Sequence, residues 1–201
     1  CRVVIAKSRS INDESWRVFH ESVSQSGGGN LFLNGSSALD TSDPARITST
    51  NTTTFTLDGY HSTYDALNEN SPTYLAYCFA EKKGYSKFGS YTGNGNADGT
   101  FVYTGFKPAW ILRKCSTNAE QWHVQDTKRL DFNNDSDSSI LIPSTNGAEA
   151  TNTNLNMDIL SNGFKMRNAD GAGNGSGRTY IYMAFAENPF VSSKGVPTTA
   201  R

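Results

Sequence analysis

The sequence predicts an all-β fold, an antiparallel β-sandwich made of two tandem pseudo-repeats. The first feature behind this expectation is a nearly repeated nonamer, T-Y-L-A-Y-C-F-A-E at residues 73–81 and T-Y-I-Y-M-A-F-A-E at residues 179–187. Tyr74 and Tyr180 are 106 residues apart, as are Trp16 and Trp122, while Phe55 and Phe164 are 109 apart. Landmarks recurring in one order at nearly one step indicate internal duplication. The second feature is a succession of short runs rich in β-branched and aromatic residues, bounded by Gly, Ser, Asn and Asp, which is the pattern of strands and turns. The third is the lack of helical periodicity: residues 65–70 could form one turn and nothing longer.

In the first unit, strands are expected over residues 3–7, 16–20, 31–34, 53–57 and 74–81. In the second they fall over residues 110–114, 122–125, 140–142, 163–167 and 180–187. Ahead of the second unit, F-G-S-Y-T and T-F-V-Y-T-G-F flank G-N-G-N-A-D-G. That pattern predicts a hairpin whose Gly93, Gly95 and Gly99 supply positive φ. Along the recurring strand, Leu75, Tyr77 and Phe79 share one face, as do Ile181, Met183 and Phe185. Tyr74, Ala76, Cys78 and Ala80 take the other face, matched by Tyr180, Tyr182, Ala184 and Ala186. Large apolar groups on one side and mostly small ones on the other predict that both faces are covered.

Val3 aligns with Trp110, so residues 86–107 have no counterpart in the first unit, and equivalent strands are expected upstream of residue 1. The expected division is a first sandwich repeat over 1–85 lacking its leading hairpin, a second over 86–190, and a C-terminal tail over 191–201. Two such units give either two lobes or one merged jelly roll. The completeness of a unit with its hairpin favours two lobes.

Composition narrows the functional classes. With 18 basic and 19 acidic residues and a formal net charge of −1, the chain has no basic footprint for nucleic acid. No run approaches 18 consecutive apolar residues, so no membrane-spanning helix is expected. Cys1, Cys78 and Cys115 show neither CxxC nor metal-ligand spacing, which leaves no disulfide framework. Cys78 reads as a small buried hydrophobe.

Candidate chemistry is sparse. Glu81 and Glu187 end the recurring strands, but their equivalence in the two units makes them scaffold rather than a catalytic pair. Asp131, Asp135 and Asp137 in D-F-N-N-D-S-D offer oxygen ligands at alternate positions. The loop lacks the Gly and Glu that complete a calcium loop, so a solvated loop is favoured over a metal site. G-A-G-N-G-S-G-R-T at residues 171–179 fails the phosphate-loop spacing and reads as a flexible connector. No G-x-S-x-G occurs, and His20, His61 and His123 read as exposed strand histidines. The one loop with recognition chemistry is residues 58–72, where Tyr60, His61, Tyr64 and Asp65 combine flat rings with hydroxyl-binding groups suited to a sugar. No cofactor is expected.

Residues 74–110, Y-L-A-Y-C-F-A-E-K-K-G-Y-S-K-F-G-S-Y-T-G-N-G-N-A-D-G-T-F-V-Y-T-G-F-K-P-A-W, resemble a repeat of virion proteins from tailed bacteriophages, particularly marine and cyanobacterial ones. L-S-N-G-F-K-M-R at 160–167, T-Y-I-Y-M-A-F-A-E-N-P-F at 179–190 and the closing V-P-T-T-A-R are similar to the same family. The resemblance implies a concanavalin-like sandwich in a tail-fibre, spike or surface protein on the outer face of the virion. It implies a non-enzymatic structural and adhesion module that touches other virion proteins and host surface polysaccharide. The alternatives are a host-polysaccharide depolymerase and a purely structural subunit contact. It also implies a symmetric homo-oligomer, most plausibly a trimer, with residues 188–201 as a contact. An unpaired sheet edge in the first unit points to assembly as well.

Overall fold

A computed structural model of the chain describes residues 1–58, 67–129, 133 and 139–188. In chain order the strands are β1 (Val3–Ser8), β2 (Arg17–His20), β3 (Leu31–Phe32), β4 (Ile47–Thr50), β5 (Phe55–Leu57), β6 (Tyr74–Phe79), β7 (Ser86–Thr92) and β8 (Phe101–Tyr103). They continue as β9 (Pro108–Cys115), β10 (His123–Asp126), β11 (Ser139–Ile140), β12 (Ala150–Thr151), β13 (Met157–Leu160), β14 (Gly163–Met166) and β15 (Thr179–Ala186). A single α-helical turn, α1 (Glu21–Ser24), follows β2. The fold is an all-β antiparallel sandwich.

Alternation along the strands explains the layering. Val3 and Ile5 of β1 point into a central core, while Val4 and Ala6 point to an outer one. Ile181 and Met183 of β15 join the same central core, while Tyr180, Tyr182 and Ala184 face a second outer core. The sheets β3-β2-β1-β6 and β10-β9-β15-β7 therefore pack against each other through the central core. Their outer faces are covered by β4-β5 and by β13-β14-β8 respectively. The halves are thus not the two separate lobes favoured above. Phe79 and Phe185, one from each half, lie 6.3 Å apart in the shared core. The Trp122 indole donates across it to the Phe32 carbonyl at 2.7 Å.

The two main sheets pair in matching register. β1 meets β6 as Val3↔Phe79, Ile5↔Tyr77 and Lys7↔Leu75, and β9 meets β15 as Trp110↔Phe185, Leu112↔Met183 and Lys114↔Ile181. Ile5↔Val18 and Leu112↔Val124 match in the same way. Each of these pairs maps onto its counterpart by an offset of 106 or 107 residues.

One edge breaks the correspondence. β15 lies between β9 and β7, whereas β6 has only β1 beside it among the described residues. Ile181 and Met183 are 2 % and 4 % exposed, but Leu75 and Tyr77 are 36 % and 51 % exposed. Coverage of both faces of the recurring strand therefore holds for β15 and fails for β6. Cys78 is exposed, not the buried hydrophobe expected of it, because the layer that hides Ala184 has no equivalent over β6. Trp16 is half-buried and stacks on the exposed Tyr77 ring at 6.2 Å, while Trp122 is fully buried.

Residues 86–107 are not a hairpin. β7 pairs with β15 and β8 with β14, so the glycine-rich loop carries the chain from one sheet to the next as an arch. Of its three glycines only Gly95 has positive φ, 66°. Gly93 and Gly99 are needed for close approach, since a Cβ there would sit 2.3 Å from the Gly175 carbonyl and 2.4 Å from that of Met166.

The supposed flexible connector at residues 171–179 is pinned to this arch. Asn174 is fully buried, and its amide donates to Asn94 Oδ1, the Asn96 carbonyl and the Asn168 carbonyl at 2.7–2.9 Å. Tyr91 and Tyr180 hydroxyls donate to the Gly173 and Gly171 carbonyls. Backbone carbonyls buried by the neighbouring layer require such partners.

The described histidines are buried, contrary to the exposed reading. His20 Nε2 lies 3.2 Å from the Tyr182 carbonyl across the central interface. Burial pushes His20 down to about 4. It pushes His123 to about 3, with help from the nearby Arg113 and Lys114 cations.

Truncating Phe164, which is fully buried in the second outer core, should cost about 3–5 kcal/mol, and Phe79→Ala clearly less because Phe79 is only partly buried. Urea unfolding of both variants checks the ranking. Both buried imidazoles are neutral in the fold, while the unfolded chain takes up protons near 6.5. Stability should therefore be full above pH 6.5 and fall between there and about 4 by up to about 1.4 kcal/mol per pH unit for each histidine. Urea midpoints at pH 7 and pH 5 measure this, and His20→Gln should flatten the slope.

Candidate functional site

Past Phe79 the chain leaves β6 through Ala80 and Glu81 and turns back into β7 across Lys82, Lys83 and Gly84. The turn closes by Ser86 N–H donating to the Lys82 carbonyl at 2.9 Å and Tyr85 N–H donating to the same oxygen at 3.0 Å. Gly84 takes φ 74°, a left-handed value that glycine adopts without strain. The Ser86 hydroxyl donates to the Ala80 carbonyl at 3.0 Å and braces the turn from within. Lys82 and Lys83 are left projecting, both exposed.

Opposite this turn stand Arg2 at the start of β1, Thr52 between β4 and β5, and Tyr103 to Gly105 at the end of β8. Together they enclose a cleft of about 920 Å3 at the junction of the two halves. Glu81 is its one carboxylate, and it pairs with Lys87 and, at 3.8 Å, with Arg2. Arg2 is held further by Glu21, whose carboxylate raises the guanidinium above its ordinary value. Lys82 and Lys83 form no ion pair among the described residues. Tyr103 is 64 % exposed and offers a flat ring at the rim.

A second hollow of about 820 Å3 occupies the corresponding end of the other half, where Ala109 and Glu187 hold the places of Arg2 and Glu81. There the charges neutralise one another: Lys107 pairs with Glu187 at 2.8 Å, and Arg129 with Asp126 and Glu149. The surplus of positive charge belongs to the first cleft alone.

Of the residues expected to bind a ligand, Tyr60, His61, Tyr64 and Asp65 lie outside the described residues. Their flanks are anchored, with Leu67 buried in an outer core and Asn68 donating to the Asp58 carbonyl at 3.2 Å. Asp131, Asp135 and Asp137 also lie outside the described residues. Their neighbour Asn133 caps the β13 edge, accepting from Ile159 N–H at 2.8 Å. Among the described residues no group of three His, Cys, Asp or Glu side chains is placed to hold a metal ion, and no helix is long and apolar enough to cross a membrane. Glu81 and Glu187 both sit in ion pairs with cations.

Arg2, Lys82, Lys83, Lys87 and Tyr103 were not singled out from sequence. The signal was there in the asymmetry of the repeat, because K-K-G-Y-S-K follows F-A-E in the first copy and N-P-F follows it in the second.

Over residues 1–189 the chain matches a family described as a domain of unknown function, DUF7483. It belongs to that family. No curated protein and no solved structure matches it. For this DUF7483 chain, the cleft at the junction of the halves is the candidate site.

Because Glu81 is partly solvated, Glu81→Gln should lower stability by no more than about 1 kcal/mol while leaving the cleft more cationic. A denaturant titration checks the first outcome. A loss of several kcal/mol would make Glu81 an essential part of the scaffold instead.

Proposed function

We propose that this chain is a non-enzymatic adhesion module of a bacteriophage virion and that its cleft takes acidic polysaccharide of the host surface. The observation that supports this most is the cleft's composition. Arg2, Lys82, Lys83 and Lys87 converge there with one carboxylate, in a chain whose formal net charge is −1. Ammonium and guanidinium groups suit the carboxylate or sulfate of an acidic sugar, and the Tyr103 ring suits its apolar C–H face. A retaining glycosidase needs two carboxyls about 5 Å apart, whereas the partners of Glu81 in the cleft are cations. This favours binding over cleavage.

The virion setting rests on the resemblance of residues 74–110 and 160–190 to phage surface repeats. Contacts with other virion proteins and a trimeric assembly belong to the same proposal. Duplication of an ancestral sandwich accounts for the matching registers of the two main sheets.

Calorimetry with a polyuronate and a neutral glucan of equal length tests the ligand class. The polyuronate should bind, and more weakly as salt is raised. Lys82→Glu with Lys83→Glu should weaken it by about tenfold or more, and the neutral glucan should not bind. Equal binding of both polymers, or of neither, overturns the reading. Release of reducing ends from the polymer would replace adhesion by depolymerisation.

A further inference from the structure

The same strand pattern stands in two environments in this molecule. On β15, Tyr180, Tyr182 and Ala184 are at most 4 % exposed under the arch formed by β7 and β8. On β6, Ala76 and Cys78 are exposed, and among the described residues no strand lies beyond β6 or beyond β5. We infer that the paired free edges of β6 and β5 form a docking edge for a strand–loop–strand arch of the β7–β8 kind, supplied by another repeat of the same family.

The occupant follows from what the second half already holds. β7 runs antiparallel along β15 with Tyr180↔Tyr91, Tyr182↔Gly89 and Ala184↔Lys87, and β8 lies beside β14 with Phe164↔Val102. Carried onto the first half, an incoming strand sets its Tyr91-like residue opposite Tyr74, its Gly89-like residue opposite Ala76 and its Lys87-like residue opposite Cys78. The second strand of the arch sets its Val102-like residue against Phe55. A lone edge strand, such as β6 of a second copy, would pair with β6 and leave β5 bare. Only an arch closes both layers.

The backbone is presented correctly. Arg9 N–H donates to the Thr73 carbonyl at 2.8 Å. Antiparallel alternation then turns the polar groups of Leu75 and Tyr77 toward β1 and those of Ala76 and Cys78 outward. Unpaired outward groups along an apolar edge are a template for strand addition. The side chains also specify a difference from β7. A Cβ on Gly89 would lie 2.9 Å from the Tyr182 hydroxyl, so glycine is forced there by the large ring opposite. Ala76 stands in place of Tyr182, so the arch that fits β6 carries a bulky residue where β7 has Gly89.

This edge is separate from the cleft, which begins where β6 ends, so a chain that binds no polyanion still has it. The exposed Cys78 thiol reports on it directly. In a Cys1→Ser background, the chain is extended at its start by a copy of residues 86–107, so that Lys107 of the copy joins position 1 as it joins Pro108 in the second half. Tethering supplies the arch at high effective concentration. The rate of Cys78 modification by an aromatic disulfide reagent should fall by about tenfold or more relative to the unextended chain. A Gly89→Phe change within the added copy should slow it further, and Ala76→Pro, tolerable on an edge strand but unable to donate outward, should restore the fast rate. An unchanged rate in the extended chain overturns the inference. So does a slow rate in the unextended chain, which would mean that β6 is already covered from within the chain or by a second copy.

Discussion

The face-to-face packing of the two four-stranded sheets is the constraint on which the rest depends. Phe79, Phe88 and Phe185 meet in its middle with ring centroids 5.6–6.4 Å apart, in edge-on geometries that aromatic pairs favour. Each main sheet spends one face on this contact. Because its strands alternate apolar residues toward both sides, the opposite face also needs a cover. The short outer sheets exist to supply it. The polar links across the centre, Trp122 to Phe32 and His20 to Tyr182, fix how the sheets sit on each other and place the only described histidines where they must stay neutral.

Much of this was legible in the sequence. The recurring strand, the Trp-x-Val strand and the apolar run ending in lysine gave β6, β2 and β1 in one half and β15, β10 and β9 in the other. β4, β12 and β13 were not legible: I-T-S-T, A-T and M-D-I-L are too short and polar for their pattern to stand out, and β4 and β13 are held by pairing with β5 and β14. The arch was mistaken for a hairpin because glycine-rich turns look alike in sequence whether the chain returns to the same sheet or crosses to the next. Partners decide that, and partners here are far away in sequence. The candidate site was missed for a related reason. Arg2, Lys82 and Tyr103 come from three distant segments, and no local spacing links them.

The two halves use one frame differently, and the difference has a physical order. With β7 and β8 in place, the second half closes both layers and can bury demanding groups. Arg113 is 1 % exposed there, donating to Gln125 beside Tyr182, where the first half has only Ala6. Burying a guanidinium among aromatic rings is costly and is tolerated only where a complete core fixes the surroundings. The first half, open along β6, carries small residues at the same places. Its surplus charge is instead displayed at the surface, where the β6–β7 turn and the start of β1 leave a cleft between the halves. One half thus provides rigidity and the other provides exposed surface, and the cleft lies where an exposed charged turn is held against a rigid wall.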